Sequence, residues 1–370
     1  MRRRGNLFPR VVRWPTLVRA AHSAAHRKRW RPNVLEFHSR LEENLLRLQH
    51  ELETGGYAPG PFRSFEIFEP KRRLISAAPY RDRIVHHAVC AVLEPLFEPT
   101  FIDDSHACRR GHGVHRAVAR AEQFQARFEW VLKGDVAAFF PSIDHRVLLG
   151  LLARKVKCPR LMRLLTQIVS QPYPGQRPGP SFAGDTLWTR FERPCGLPLG
   201  NQTSQFFGNV MLNPLDHFIK ERLRCRGYLR YADDFLLFGE SAAQLGTWRV
   251  AIRQFLRGLR LRLNEHKTVV FPVSQGIPFL GFKLFRSHRR LSRGNLRRFQ
   301  RRLARWRERV AAGRMTQAEV SERVRAWWGH AQHADCWRIA SQILDRSPFQ
   351  SPEPFQSPRC DSFSSNEWPN

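Results

Sequence analysis

The sequence is poor in acidic side chains. It carries 32 aspartates and glutamates against 62 lysines and arginines, so its formal net charge is +30 over 370 residues. The natural partner of so basic a chain is a polyanion. Most of the basic residues are arginines, which pair bidentately with phosphate and stack on bases, so the composition favours an RNA or DNA ligand. An arginine bias on solvated faces is the alternative explanation.

Cysteines and long apolar runs are also scarce. The seven cysteines, at positions 90, 108, 158, 195, 225, 336 and 360, include no Cys-x-x-Cys pair. This spacing argues against a disulfide framework or a zinc knuckle and favours a reducing cytoplasm. No apolar run approaches the length of a membrane span, and no signal-peptide core follows the basic start Met1–Gly5. The sequence therefore predicts a cytoplasmic protein that does not use a membrane.

Two of the few aspartates stand side by side. Asp233 and Asp234 follow Tyr231 and Ala232 and interrupt an apolar run typical of β structure, so we expect a hairpin with both acids at its turn. Neighbouring carboxylates raise each other's pKa unless a cation lies between them, and oxygen ligands suit Mg²⁺. Nucleotidyl transfer uses paired Mg²⁺ ions in this way. An Asp-Asp turn on a surface is the simpler alternative.

A third carboxylate strengthens the catalytic interpretation. The apolar run Trp130–Gly134 leads into Asp135 and then into Phe139 and Phe140. A strand that carries Asp135 beside the Asp233 hairpin would let the acids share both metal ions. Phe140 would then lie under the sugar of an incoming nucleotide and exclude a 2′-hydroxyl; an ordinary core position is the alternative.

These blocks resemble reverse transcriptases, above all in Asp135-x-x-x-Phe139-Phe140 and in Tyr231–Asp234. Further blocks lie in the order that this family has, and the resemblance covers residues 33–335. These blocks are Lys71–Ile75, Pro79–Val85, Leu93–Glu98, Ser105–Arg109, Gly196–Gln205, Leu263–Thr268 and Gly276–Phe282. Several co-linear blocks are far more specific than one short motif. The resemblance implies an α+β, right-hand polymerase fold with fingers, a palm of antiparallel sheet plus helices, and a helical thumb.

The resemblance also implies the chemistry and the partners of the site. We expect an RNA-directed DNA polymerase that uses two Mg²⁺ ions, for which Mn²⁺ can substitute. Asp135, Asp233 and Asp234 are its expected catalytic residues, and these three together with Val136 are its expected metal ligands. The expected partners are template RNA, the primer or cDNA strand, and deoxynucleoside triphosphates.

Basic residues in the first half of the chain are candidate ligands of phosphate. Lys71 and Arg73 lie two apart on a predicted strand, so both face the same side and are placed to bind the triphosphate. Arg81 and Arg83 begin a predicted helix and are candidates for contacts to the RNA backbone, with internal salt bridges as the alternative. Lys267 matches a lysine block of the family at the end of the palm, and its role stays unassigned.

Within the family, the chain resembles the reverse transcriptases of diversity-generating retroelements. Where many reverse transcriptases have a Gln-Gly pair, this chain has Leu199-Gly200, followed by Ser204-Gln205. In that family the enzyme copies a template-repeat RNA with frequent errors at adenines, for mutagenic retrohoming, and works with a small basic accessory protein. Leu199, Gly200 and Gln205 are the expected nucleotide contacts. Because Leu199 replaces a polar side chain that helps hold nucleotide and template in register, we expect loose discrimination.

The sequence predicts five parts. These are a basic N-terminal extension (1–32), fingers (33–130), a palm (131–285), a helical thumb (286–345) and a disordered Pro/Ser-rich tail (346–370). The extension is interpreted either as a loosely ordered arm or as an RNA- or partner-binding segment.

Local patterns predict several helices and one long loop. Leucines 41, 45, 48 and 52 recur at helical spacing, and Gly55-Gly56 should end that helix; another is predicted from Asp82 to Leu96. Ser142 or Asp144 is expected to cap a helix start. The Pro/Gly-rich segment 171–182 is predicted to be a loop.

The thumb is expected to contain two helices. Its first has an apolar stripe of Leu296, Phe299, Leu303, Trp306 and Val310. Arg298, Arg302 and Arg305 flank this stripe and are the expected contacts to nucleic-acid phosphates. A second helix from Thr316 to Trp328 should bury the pair Trp327-Trp328, for which packing is favoured over base stacking.

Two other classes stay open. One is a noncatalytic RNA-binding or maturase-like protein that retains the fold, although all three carboxylates are present. The other is a different bacterial reverse transcriptase, from a retron, an abortive-infection system or a group II intron. The Ser204-Gln205 variant and the lack of an intron-type nuclease sequence argue against the intron.

Overall fold

The computed structural model describes residues 3–68, 72–186 and 188–335 of the chain. The chain divides into two compact units between Gln275 and Gly276. Each contains helices and an antiparallel sheet, so the α+β class predicted from the sequence is confirmed. Among the helices in these ranges, none is long and apolar enough to cross a membrane.

The first unit contains helices and two sheets. Its helices are α1 (Phe8–Val12), α2 (Trp14–Ala25), α3 (Pro32–Ser39), α4 (Leu41–Thr54), α5 (Tyr80–Phe97), α6 (Val114–Gln125), α7 (Phe139–Ser142), α8 (His145–Ala153), α9 (Pro159–Ser170), α10 (Thr189–Glu192), α11 (Gln202–His217) and α12 (Ala242–Gly258). Its strands are β1 (Arg63–Ile67), β2 (Arg73–Ala77), β3 (Trp130–Asp135), β4 (Gly227–Tyr231), β5 (Asp234–Gly239) and β6 (Val269–Pro272).

The larger sheet lies inside the first unit. Its order is β4-β5-β3-β6, and each neighbouring pair is antiparallel. The residues Phe235–Phe238 of β5 are fully buried in succession, which means that both faces of the sheet are covered. Helices α6 and α12 pack against it. A ligand therefore meets this sheet at the ends of its strands rather than on a face.

Of the two interpretations of residues 1–32, the loosely ordered arm is wrong, because residues 7–25 belong to the core; a binding role of the segment stays a prediction. Helices α1 and α2 pack on α5, and Phe8, Val11 and Leu17 are buried. The many basic residues of the segment 1–32 are the reason that it looked like an extension. However, α2 also buries Ala20, Ala21, Ala24 and Ala25 on one face, and such small side chains let two helices approach closely.

Other local predictions for the first unit are confirmed. α4 ends at Thr54, and Gly55 follows it in the left-handed conformation at φ +83°. α5 covers the predicted helix and extends two residues before and one after it. The side chain of Asp144, rather than that of Ser142, caps α8 by accepting from the backbone N–H groups of Arg146 and Val147. Residues 171–182 form no helix or strand.

The second unit joins a small sheet to two helices. Its elements are β7 (Ile277–Phe279), β8 (Phe282–Leu284), β9 (Arg289–Leu291), α13 (Arg293–Ala311) and α14 (Gln317–Ala331). The strands pair in the order β7-β8-β9. The palm was predicted to extend to residue 285, but the division at residue 276 places β7 and β8 in this second unit.

The two predicted thumb helices are confirmed as α13 and α14. Thr316 caps α14 in a capping box with Glu319. The ring of Trp327 stacks on Phe299 of α13 with centroids 3.7 Å apart and planes 6° apart. Packing is thus the role of Trp327 in this unit. The predicted tail at 346–370 lies outside the described residues.

Candidate active site

The ends of β3 and β5 bring the three predicted carboxylates together. The antiparallel register places Asp135, the last residue of β3, opposite Asp234, the first residue of β5. Asp233 precedes it in the turn, and its carbonyl accepts a hydrogen bond from the backbone N–H of Val136 at 3.2 Å. The predicted hairpin beside the Asp135 strand is confirmed.

The turn between β4 and β5 has a strained first residue. Tyr231 pairs with Asp234, so only Ala232 and Asp233 form the turn, and Ala232 has φ +54°. Residues that have a Cβ adopt this backbone conformation rarely. Arg230 holds it, because its Nη1 donates to the carbonyl of Ala232 at 3.0 Å.

Arg230 is itself fixed by a buried polar network. Its guanidinium donates to Asp216 (Nε to Oδ1 at 2.8 Å, Nη2 to Oδ2 at 2.6 Å), to Asn209 Oδ1 at 3.1 Å and to Ser105 Oγ at 2.9 Å. Tyr228 donates to the same Asp216 at 2.6 Å. This network was not predicted from the sequence, although an arginine inside a buried strand requires polar partners.

The acids of the turn hold protons more tightly than usual. Burial, first of all, raises the pKa of Asp234 to about 6; Lys133 opposes this rise, and the carboxylates of Asp233 and Asp135 add to it. Burial and the nearby Asp135 also raise the pKa of Asp233, against the opposing effects of its own backbone N–H, Lys267 and Arg73. Both acids therefore favour any cation that enters beside them.

The carboxylate of Asp135 is buried and already bound. Lys267 Nζ donates to its Oδ1 at 2.8 Å and to its Oδ2 at 2.7 Å, and Asn264 Nδ2 donates to Oδ2 at 2.9 Å. The backbone N–H of Asn264 also donates to the carbonyl of Asp135 at 2.8 Å. The sequence analysis gave Asn264 no role and left Lys267 unassigned. Their signal was the matched block Leu263–Thr268.

The donor set suits a hard cation. The carboxylates of Asp135, Asp233 and Asp234 and the carbonyl of Val136 are all oxygen ligands, as Mg²⁺ requires. In residues 3–68, 72–186 and 188–335, no three His, Cys, Asp or Glu side chains are yet arranged closely enough to hold a metal. The carboxylate of Asp135 points instead to the ammonium of Lys267. A metal that used Asp135 would therefore have to replace that lysine.

Phe140 lies beside the strand end and packs against the helix α11. It is half-buried, its ring lies 5.1 Å from that of Phe139, and a Cβ on Gly208 would approach Phe140 Cε1 to 3.3 Å. Its carbonyl accepts from the backbone N–H of Leu197 at 2.9 Å. The ring is thus held in one place from two sides.

The segment before α11 packs on β2. The carbonyl of Leu199 accepts from the N–H of Ser76 at 3.0 Å, and a Cβ on Gly200, which has φ +110°, would lie 2.8 Å from Ile75 Cγ2. Gln205 is exposed on α11 and lines a pocket of about 840 Å³ together with residues of α5, such as Glu94. The structure therefore joins Leu199 and Gly200 to the β2 strand but gives Gln205 other neighbours.

The basic residues of the fingers have unequal surroundings. Arg73 begins β2, is exposed and lowers the pKa of Asp233, so its charge reaches the turn between β4 and β5. Lys71 lies outside the described residues. Arg81 pairs with Glu51, and Arg83 Nε donates to the carbonyl of Ala78 at 2.8 Å. Both helix arginines are thus engaged inside the chain.

The three candidate arginines of the second unit lie on α13. Arg302 and Arg305 are exposed and Arg298 is half-buried, whereas Phe299 and Leu303 of the same helix are buried. The helix therefore separates an apolar face from an arginine face, as the sequence predicted.

Comparison with known proteins shows which family shares these features. The family model described as reverse transcriptase (RNA-dependent DNA polymerase) matches residues 68–284, more than half of the chain. Protein YkfC of Escherichia coli K12 is 30% identical over 302 residues, which cover 70% of this chain and 75% of YkfC. The group II intron-encoded protein LtrA of Lactococcus lactis subsp. cremoris is 23% identical over 309 residues, which cover 66% of this chain and 50% of LtrA.

A solved structure is also similar to this chain. Telomerase from Candida albicans, in complex with a fragment of telomeric RNA, has a TM-score of 0.44 and 12% identity, over 64% of this chain and 46% of that chain. The chain spans three quarters of the length of YkfC and half of the length of LtrA.

Proposed function

The chain belongs to the reverse transcriptase family, with its right-hand polymerase fold, and is an RNA-directed DNA polymerase; on that premise we propose that Asp135, Asp233 and Asp234 carry the polymerisation step. The observation that supports this most directly is the register of β3 and β5, which sets Asp135 opposite Asp234. Because the carboxylates stand at the end of paired strands, their backbone positions are fixed before any substrate binds.

Divalent metal ions are general in this family, and we propose Mg²⁺ as the physiological one, with Mn²⁺ as a substitute. The bound ions would activate the primer hydroxyl and stabilise the leaving pyrophosphate. Asp135, Asp233, Asp234 and the carbonyl of Val136 would hold them. Lys267, when Asp135 turns to a metal, would keep its positive charge beside the reacting phosphates.

We propose that residues near β2 bind the incoming deoxynucleoside triphosphate. Arg73 already acts on the charge of Asp233, which supports its role at the triphosphate, and Lys71 precedes it by two residues. Phe140 would support the sugar. Leu199 and Gly200 would lie at the base pair, since their segment packs on β2; Gln205 has weaker support because it lines another pocket.

Template RNA is the ligand that reverse transcriptases share, and we propose that Arg298, Arg302 and Arg305 bind its backbone or that of the paired cDNA. Arg81 and Arg83 are weaker candidates, since each already has an internal partner. In this scheme residues 33–130 are the fingers, 131–285 the palm and 286–345 the thumb.

We further propose that the enzyme is of the diversity-generating type, copying a template-repeat RNA with errors at adenine. The support is Leu199-Gly200 together with Ser204-Gln205; Ser204 Oγ donates to the carbonyl of Pro198 at 2.7 Å and so shapes the segment that carries Leu199. A small basic accessory protein would join through RNA, because two positively charged proteins repel each other. The place of action would be the cytoplasm.

One observation favours a second candidate within the same class. The group II intron-encoded protein LtrA of Lactococcus lactis is 23% identical to this chain. An enzyme of intron type would copy RNA without a bias toward errors at adenine, so sequencing of the cDNA separates the two proposals.

Primer extension on an RNA template tests the catalytic assignment. We expect Asp135→Asn and Asp233→Asn each to lower the Mg²⁺-dependent rate at least about a thousandfold, since metal ions contribute several kcal/mol to such transition states. Asp103→Asn is the matched control, because that carboxylate is exposed. Near wild-type extension by either active-site variant, with the control normal, would refute the assignment.

A further inference from the structure

A basic cavity lies in the first unit, close in the chain to the candidate active site. Its volume is about 570 Å³, and it lies between the end of α12 with the segment that follows and the loop before α10. Among the side chains that line it are Phe182, Arg253, Arg257, Arg260, Arg262 and Glu265. We call this cavity the arginine pocket.

The charges of the arginine pocket favour an anionic ligand. Four guanidiniums and a single carboxylate, that of Glu265, line it. Arg253 is paired with Glu265 at 2.8 Å, but the Arg257 side chain has no partner among the residues that the structure describes. Arg257 and Arg262 are also exposed; Arg262 donates one hydrogen bond from Nη2 to the carbonyl of Ser181, and its remaining N–H groups can reach a ligand, as can those of Arg257. A cluster that leaves guanidinium N–H groups unused is suited to phosphate oxygens.

An aromatic ring fixes two of these arginines. The guanidinium carbons of Arg260 and Arg262 lie 5.5 and 5.4 Å from the centre of the Phe182 ring. Arg260 also pairs with Asp185 at 3.1 Å, and Asp185 accepts from the backbone N–H of Phe182 at 2.8 Å. The guanidiniums are therefore preorganised by packing and ion pairs, which reduces the entropy lost when a ligand binds.

Two large aromatic side chains, one at the end of this loop and one on α10, are exposed to solvent. Trp188 is 67% exposed and Phe191 is 61% exposed. The ion pair between Asp185 and Arg193, at 3.0 Å, closes this stretch of loop, and the pair with Arg260 joins it to the segment after α12. Trp188 follows Asp185, the partner of Arg260, by only three residues, so the chain itself brings an exposed ring within reach of the arginine pocket. Exposed aromatic rings near a basic pocket are the combination that binds single-stranded nucleic acid, whose bases are free to stack.

The arginine pocket adjoins the catalytic carboxylates through the backbone. Arg262 accepts at its carbonyl from the N–H of Ala137 at 2.8 Å, and two residues later Asn264 Nδ2 donates to Asp135 at 2.9 Å. Two residues of extended chain span roughly 7 Å. A strand bound in the pocket would therefore lie close to the site of polymerisation.

We propose that the arginine pocket binds single-stranded RNA, with backbone phosphates on Arg257 and Arg262 and unstacked bases on Trp188 and Phe191. The choice of RNA as the strand rests on the proposed function, since template is the single strand that such an enzyme must hold. A duplex is disfavoured, because its bases are already stacked and cannot use the exposed rings. The pocket is a site additional to the arginine face of α13.

Fluorescence anisotropy with the full chain tests this site. The probe is a labelled, unstructured RNA of about 12 nucleotides, titrated in EDTA so that no polymerisation occurs. We expect Arg257→Gln/Arg262→Gln to weaken binding and to lower the magnitude of the slope of log K against log salt by about 1.4, from two lost phosphate contacts. Trp188→Ala should weaken binding at least about fivefold without changing that slope.

The controls separate this proposal from general charge and from catalysis. Arg154→Gln removes an exposed arginine that directly follows α8 and does not line the arginine pocket, and it should leave binding unchanged. Equal losses for Arg154→Gln, equal losses on duplex RNA, or no loss for Arg257→Gln/Arg262→Gln and Trp188→Ala would each overturn the proposal. So would complete displacement of the RNA by pyrophosphate or a deoxynucleoside triphosphate, since the pocket would then be a nucleotide site. Failure of the catalytic proposal appears separately, as primer extension by the aspartate variants.

Discussion

Arg230 and Asp216 form an ion pair with no solvent exposure on either side chain, and the same guanidinium donates to the carbonyl of Ala232 in the turn between β4 and β5. The pair therefore links the interior of the first unit to the position of Asp233. Taking two charges out of water is costly, so a buried pair of this kind is weak evidence for stability by itself. Its value here is positional, because it supports a turn residue at positive φ.

Removal of one charge from this pair should unfold the protein more readily. We expect Asp216→Asn to lower the free energy of unfolding by about 3–5 kcal/mol, because the guanidinium of Arg230 would remain buried without a counterion. Urea denaturation measures this change. Asp103→Asn breaks an exposed pair with Arg116 and should cost about 1 kcal/mol or less. Similar small costs for both variants would show that the buried network is not what holds the turn.

The raised pKa of Asp234 gives a pH-dependent prediction. The carboxyl of Asp234 binds its proton more tightly in the folded protein than in the unfolded chain. Below about pH 4 it is protonated in both states and does not change the free energy of unfolding. As the pH rises toward its folded pKa of about 6, it lowers the free energy of unfolding. We therefore expect metal-free Asp234→Asn to be more stable than wild type at pH 7.5, by about 1 kcal/mol after allowance for solvent screening, and less so at pH 5.

Unfolding by urea in EDTA at the two pH values measures this difference. Addition of Mg²⁺ should stabilise the wild type more than the variant, since the variant lacks one of the proposed ligands. A difference in stability that does not change with pH would contradict the role given to the Asp234 carboxylate.

The arginine face of α13 should bind phosphate without regard to sequence. We expect Arg298→Gln/Arg302→Gln/Arg305→Gln to weaken affinity for unrelated RNAs about equally and to lower the magnitude of the log–log salt slope by about 2. Gln300→Ala, at an exposed polar position of the same helix, is the control. A flat salt dependence in the wild type, or a loss confined to one RNA sequence, would mean that this face is only solvated.

Fidelity tests the proposed subtype. We expect the wild type to misincorporate opposite adenine more than opposite the other bases, and Leu199→Gln to reduce these errors by up to about tenfold, the effect of one hydrogen bond. Sequencing of cDNA, made with and without an accessory protein, measures this. Leu35→Gln makes the same chemical change at an exposed position of α3. Equal error rates at all four template bases under both conditions would reject the diversity-generating assignment and leave the polymerase intact.

The placement of the three carboxylates at neighbouring strand ends could be predicted from local sequence, whereas their catalytic role stays a proposal. Asp135, Asp233 and Asp234 are conspicuous in the sequence because charges inside apolar β runs are rare. The pairing of their strands follows from antiparallel geometry. The contact of Lys267 with Asp135 joins residues 132 apart in the chain, and no local pattern specifies such a pair. The loop of the arginine pocket has no regular periodicity before α10, so its neighbours depend on tertiary structure alone.

The N-terminal error has a different origin. Large apolar residues and charges are the strongest signals in a sequence, and the alanines of α2 provide neither. Alanine contributes to packing through the close approach that it permits, which shows only when the partner helix is known.

The alanine face of α2 also bears on how the chain is made. α2 ends at Ala25, whereas its partner α5 is complete only at Phe97. Synthesis from the N-terminus therefore produces this apolar face well before the helix that covers it. The cost of closing the intervening loop grows only with the logarithm of its length, so the order of synthesis, rather than chain entropy, keeps the face uncovered. The nascent chain thus passes through a stage in which an amphipathic, arginine-flanked helix is open to chaperones and to aggregation.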